Sequence, residues 1–200
     1  MPSFLRPCLL AALLVVAFPL TAAPAASAQA PPRAVRAYAK AGHLFIVDAR
    51  GNVTQIARAR HVVEAALSPD GRRVLYTEGR PTPPDEEAAP DPLWLTDTLG
   101  GRARLLVNPG HTRQEPVPRE PGLARCKEDV TAEVENNLTG IDLMQFSLNG
   151  RTVYFRTFAW QMTSAIHTVD LATGRVRFFC AGNDFTVIRT GKNRGLLRVG

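Results

Sequence analysis

The chain has 200 residues, 45% of them hydrophobic and 7% aromatic, and its 24 Lys and Arg against 18 Asp and Glu give a formal net charge of +6. That length supplies one domain with a core of its own. The arginines are scattered (Arg33, Arg50, Arg72, Arg102, Arg125, Arg151, Arg175) with no dense run and no basic helix, so the charge reads as an Arg-rich composition and no nucleic-acid partner is expected.

Residues 1–28 read as a signal peptide. Arg6 makes the start basic, Cys8 to Leu20 is an apolar run broken by Pro19, and Ala26-Ser27-Ala28 gives the small-x-small pattern of a cleavage site, leaving Gln29 first. The run is well short of the roughly 20 apolar residues that a membrane span needs. Cys8 precedes the run, which argues against a lipidated cysteine. After cleavage no transmembrane segment is expected, and residues 29–200 are read as one exported, periplasmic domain. Loss of Arg6 leaves 23 basic against 18 acidic residues, a net charge of about +5.

Three stretches then share one pattern. Leu44-Phe45-Ile46-Val47-Asp48 runs into a Gly51-Asn52 turn and Val53 to Ile56. Leu93-Trp94-Leu95-Thr96-Asp97 runs into Gly100-Gly101 and Ala103 to Val107. Ile166-His167-Thr168-Val169-Asp170 runs into Thr173-Gly174 and Val176 to Phe179. Each reads as strand, Asp-led turn, strand, because an Asp at the first turn position bonds the backbone two residues on.

A second unit, Ser68-Pro69-Asp70-Gly71 followed by Arg72 to Thr77, returns as Ser147-Leu148-Asn149-Gly150 followed by Arg151 to Phe155. An Asp-Gly or Asn-Gly pair before an alternating apolar run predicts a tight type I′ hairpin turn, with both central residues at positive φ. The spacing ties the two units together. Asp48 to Ser68 is about 20 residues and Asp97 to Ser147 about 50, the excess matching a Pro-rich, aperiodic insertion at about 108–137; a second insertion lies at about 81–92. The underlying period near 40 to 45 residues is that of four-stranded propeller blades. A third turn is expected near Thr190, with Leu196-Leu197 and Val199 as a candidate strand.

With Cys8 removed, Cys126 and Cys180 remain, an even count in a compartment that permits disulfides. A bridge would close a loop of about 54 residues and be worth on the order of 4 kcal/mol. Without one, both would be buried or free thiols.

The Ser68 to Tyr76 segment resembles the TolB-type WD40-like β-propeller repeat, also found in the propeller domains of prolyl-oligopeptidase-type enzymes. The family pattern is Ser-Pro-Asp-Gly, two polar residues and an alternating strand; Phe146 to Phe155 is similar, with Leu148 for Pro and Asn149 for Asp. The resemblance covers about Leu44 to Phe179. It implies an all-β fold of antiparallel four-stranded blade repeats, with Ser68, Pro69, Asp70, Gly71, Ser147, Asn149 and Gly150 as blade-turn residues. A closed ring needs about four to eight blades. Two and a partial third are legible, so a partial or shortened β-propeller is expected, open, completed by other chains, or short relative to longer relatives.

Catalytic groups do not assemble in the sequence. No serine lies in a G-x-S-x-G elbow, so the peptidase chemistry of the enzyme relatives is not expected. His43, His61, His111 and His167 lack metal-ligand spacing, and His43 and His167 read as repeat positions on equivalent strands. The acidic Asp85-Glu86-Glu87 reads as a solvated loop. Trp94 reads as core, and Trp160 as a weak candidate for ligand stacking. The sequence therefore predicts an exported, non-enzymatic protein-binding or scaffold protein of the cell envelope. It needs no cofactor or metal, and its partner is an envelope protein or a second copy completing the blades. The alternative is a glycan- or peptide-acting enzyme whose site forms only in the fold.

Overall fold

Alternation of apolar and polar residues makes short strands here, and Gly- and Asp-led turns fold each strand back onto its predecessor. The computed structural model describes residues 33–56, 59, 61–79, 91–109, 111–115, 138–159 and 163–200. All of them belong to one unit, Pro32–Gly200. Residues 1–28, expected to be a signal peptide, most of both expected insertions, Cys126 and Trp160 lie outside the described residues.

Among the described residues, four sheets follow one another along the chain. The first holds β1 (Ala34–Lys40), β2 (His43–Asp48) and β3 (Val53–Ile56), and the second β4 (Val62–Leu67), β5 (Arg73–Glu78), β6 (Leu93–Asp97) and β7 (Arg104–Val107). After the two-residue β8 (Gln114–Glu115), the third sheet is built from β9 (Asp142–Phe146), β10 (Thr152–Phe158), β11 (Ser164–Asp170) and β12 (Val176–Ala181). The fourth contains only β13 (Phe185–Val187) and β14 (Leu197–Val199). Consecutive strands within a sheet pair antiparallel, as a meander does. The one exception among the described residues is β8, which adds in parallel to the outer edge of β12. Part of the long insertion is thus captured as a strand that its lack of periodicity had hidden.

Register makes the sheets equivalent. Arg73 pairs with Asp97 on β5 and β6, and Thr152 with Asp170 on β10 and β11. The Ser-x-Asp/Asn-Gly turn joins the first two strands of a sheet and the Asp-led turn joins the last two. The 20-residue interval from Asp48 to Ser68 therefore crosses from the first sheet into the second. The first sheet carries the last three strand positions of a blade, and the fourth carries the first two. Strand β14 falls where Leu197 and Val199 were expected to form one.

Each strand sends alternate side chains to opposite neighbours. Val74 and Tyr76 face the first sheet and join Leu44, Ile46, Ile56 and Val62 in one core cluster. Leu75, Leu93 and Leu95 face the other way and join Phe146, Val153, Phe155, Val169 and Val176 in another. Leu44, Leu75, Leu93 and Phe155 are fully enclosed, each worth about 1.5 to 3 kcal/mol of apolar burial. The second sheet is sandwiched, as an inner blade is.

One cross-strand aromatic stack repeats in the three larger sheets: Tyr38–Phe45, Tyr76–Trp94 and Phe155–His167, with ring centroids 5.4, 6.5 and 5.3 Å apart and planes within 21° of parallel. His167 therefore occupies the position of Phe45 and Trp94. His43 lies on the equivalent strand but at a different position, so the two histidines do not mark one repeat site.

Candidate functional site

The two blade turns carry one hydrogen-bond network in two copies. The Ser68 hydroxyl donates to Asp70 Oδ1 (2.6 Å), which also accepts from the Arg72 amide, and Ser68 Oγ accepts from the Arg73 amide. The Ser147 hydroxyl, Asn149 Oδ1 and the amides of Arg151 and Thr152 repeat those contacts at 2.8 to 3.0 Å. The Gly71 and Gly150 amides close each turn on the serine carbonyl at 2.9 Å. Hydrogen bonding by Ser68 leads the effects that hold the Asp70 carboxyl below its usual range.

These are not type I′ turns. Gly71 and Gly150 have positive φ, whereas Asp70 and Asn149 do not. The Asp and Asn side chains tie down the backbone ahead of the glycine, and a four-residue loop results. The connection with positive φ at both central residues is Ala41-Gly42, between β1 and β2 (φ 50° and 74°). An alanine there gave no sequence signal, because L side chains rarely adopt that conformation.

The Asp-led turns behave alike. Asp48 Oδ1 accepts from the amides of Arg50 and Asn52, Asp97 Oδ1 from Leu99 and Gly101, and Asp170 Oδ1 from Ala172 and Thr173. These aspartates serve their turns.

Between sheets, arginines grip the neighbouring turn. Arg33 donates to the Pro69 carbonyl of the first Ser-x-Asp-Gly turn. Arg73, from the second sheet, donates to the Gly150 carbonyl of the next at 2.8 Å, and Arg104 reaches the Leu171 carbonyl at 2.8 Å. Gly71 sits so close to the first sheet that a Cβ on it would lie 2.3 Å from the Ala34 carbonyl oxygen. The blade turns are thus docking points between sheets. Sequence reasoning missed these arginines; the available signal was an Arg at the mouth of a strand following or preceding a turn copy.

A second seam lies at the first strands of successive sheets. Glu64 on β4 accepts a hydrogen bond from the Leu143 amide on β9 at 3.0 Å, and Leu143 has φ 47° at a bulge in its strand. Asp142 is salt-bridged to Arg156 (2.5 Å), which also donates to the Asn183 carbonyl ahead of β13. Partial burial, with the neighbouring Asp142 charge adding to it, raises the Glu64 pKa.

His167 is enclosed between Phe155 and Phe178 with Nε2 2.9 Å from the Thr157 hydroxyl, and burial drives its pKa down to about 3. That is a neutral core imidazole. Trp94 packs half-buried against the first core cluster, with Nε1 buried and, among the described residues, without a hydrogen-bond partner. Cys180 is buried on β12 beside Ile166 and Phe185. Its prospective bridge partner Cys126 and the stacking candidate Trp160 lie outside the described residues. Among the described residues no group of three or more His, Cys, Asp and Glu is placed to hold a metal ion.

No protein-family model matches the chain. No curated protein matches it in sequence. Solved structures that it is similar to include TolB from Acinetobacter baumannii (17% identity, 72% of this chain and 28% of that one, TM-score 0.43) and putative TolB from Agrobacterium tumefaciens (13%, 70% and 41%, 0.44). The β-propeller domain of the Trilobed protease from Pyrococcus furiosus, described as having an open velcro topology, is another (10%, 72% and 36%, 0.44). The chain spans less than half the length of each of these. Its own sheets, meandering, stacked and joined by repeated turns, define the fold: all-β, with antiparallel blade-like sheets in a partial propeller.

Proposed function

We propose that this chain is an exported, non-enzymatic scaffold of the cell envelope that takes up an extended segment of a partner protein at the open edge of its last sheet. The observation that carries this is β14. Its pairing with β13 places Gly200 and Asp184 in a hydrogen-bonded pair, so the backbone groups of Leu197 and Val199 point away from β13, and among the described residues no strand covers them. Such an edge templates an added strand. The signal-like residues 1–28 support export to the periplasm, and the TolB-like repeat supports a protein-binding role.

The test is capture from an envelope extract by the purified mature chain, compared with Val199→Pro. That change removes an outward N–H while leaving the β13–β14 bonds in place. Capture of one envelope protein, lost in the variant, is expected. Turnover of a glycan or peptide panel by the chain alone, with no partner, would replace this reading with the enzymatic one.

A further inference from the structure

The face of the third sheet turned away from the second is only partly covered by β13 and β14. On this face Tyr154 packs against Phe185, and beside it lies a cleft of about 260 Å³ lined by Thr152, Thr168, Asp170, Thr173, Arg175 and Arg177.

The second sheet provides an internal control. By register, Leu95 stands where Thr168 stands, Arg73 where Thr152 stands, and Arg104 where Arg177 stands. In the second sheet this face is closed by the third. Leu95 is core, and Arg73 and Arg104 bond the neighbour's backbone. The first sheet has Ile46 at the same place, also in a core cluster. A face that only awaited another sheet would keep an apolar residue there. In the third sheet a hydroxyl replaces it, and a short Thr152 replaces the long arginine, which opens the space.

The lining chemistry favours anions. Two guanidiniums and the hydroxyls of Thr152 and Thr168 line the cleft with one carboxylate, and Asp170 Oδ1 already accepts from the Ala172 and Thr173 amides and the Thr173 hydroxyl. Guanidinium groups match oxyanions bidentately, and threonine hydroxyls supply further donors. The volume falls below the roughly 300 to 1,000 Å³ of drug-sized pockets. It suits one compact charged group.

We propose that this cleft binds a phosphate group, held by Arg175 and Arg177 with the hydroxyls of Thr152 and Thr168. The shared chemistry is a tetrahedral oxyanion, either as the free ion or as a phosphomonoester on a small molecule.

The test is an amide-resolved NMR titration of the mature chain with inorganic phosphate and with glycerol 3-phosphate, against sodium chloride at matched ionic strength. Saturable shifts at Thr152, Thr168, Thr173 and Arg177 are expected with phosphate and absent with chloride. Tighter binding of glycerol 3-phosphate assigns the ester, and equal or weaker binding assigns the free ion. Arg177→Ala should weaken binding at least tenfold. Thr168→Leu, which restores the residue type of the second sheet, should weaken it while preserving the unfolding midpoint. Shifts that follow ionic strength alone, or saturable binding that both variants leave unchanged, would overturn the proposal.

Discussion

At Gly71, two costs fall on one Cβ: a φ of 67° and a backbone oxygen 2.3 Å from where the atom would sit. Gly191 shares the positive φ (77°) but has nothing within 4 Å. Gly71→Ala should therefore destabilise by about 3 kcal/mol or more and Gly191→Ala by about 1 kcal/mol. Denaturant midpoints separate them, and equal losses would mean that contact with the first sheet is unimportant. The reverse case is Ala41, an exposed alanine at φ 50° in a two-residue hairpin. Ala41→Asn should stabilise by about 0.5 to 1 kcal/mol, read as a rise in the thermal midpoint. His167 gives a pH signature. Its folded pKa, about 3, lies below the ordinary 6.5, so the unfolded chain takes up a proton that the folded chain refuses. Its contribution is complete above about pH 6.5 and is lost as pH falls towards 3, about 3 kcal/mol by pH 4.5. His167→Phe, matching Phe45 in the repeat, should flatten the stability profile between pH 7 and 4.5. An unchanged slope would show that other groups set it.

At the scale of strands and turns, the seams between sheets decide what the repeat can tolerate. Glu64 holds the Leu143 amide in a backbone conformation that a leucine rarely adopts. Its raised pKa means that its carboxylate form is disfavoured by folding, so that cost is absent below the unfolded pKa and grows as pH rises through the folded value. Glu64→Gln keeps an acceptor without the charge. It should equal or exceed the parent in stability at pH 7, with the gap closing below about pH 4.5. Glu64→Leu strands the amide and should cost about 1 to 3 kcal/mol at either pH. A Gln variant as damaged as Leu would mean that the charge itself is required. This seam also shows where sequence reading stops. The Asp-led turns and alternating strands are local, so Asp48, Asp97 and Asp170 announced them. The Glu64–Leu143, Arg73–Gly150 and Arg104–Leu171 contacts join residues about 65 to 80 positions apart; an Arg at the mouth of a strand marks one end of two of them, and nothing local names the partner at the other end. The cleft was hidden for the same reason: Thr168 and Arg177 acquire meaning only once register sets them against Leu95 and Arg104.

For the whole molecule, strand arithmetic bears on whether a second copy could complete the two- and three-stranded sheets. Completion by a second copy would merge the last sheet of one chain with the first sheet of another. The last sheet supplies the first two strand positions of a blade and the first sheet supplies the last three, so both chains bring the second position, β14 and β1. Fusion would need one of these strands to be displaced. Displacing β1 would break its pairing with β2 and the Arg33 and Ala34 contacts to the Pro69-to-Gly71 turn. Displacing β14 would expose Phe185, which is buried. A heterologous contact of this kind would also propagate unless its rotation closed a ring. An extended segment from another protein would add to β14 without displacing either strand, the arrangement proposed above. The two core clusters meet on opposite faces of the second sheet, so unfolding one exposes the other and a single cooperative transition is expected. Light scattering of the mature chain should give a monomer mass across a hundredfold range of concentration, with coincident unfolding by fluorescence and circular dichroism. A stable dimer would restore self-completion, and the strand it displaces would appear as a loss of protection from hydrogen exchange at the backbone amides of β1 or β14.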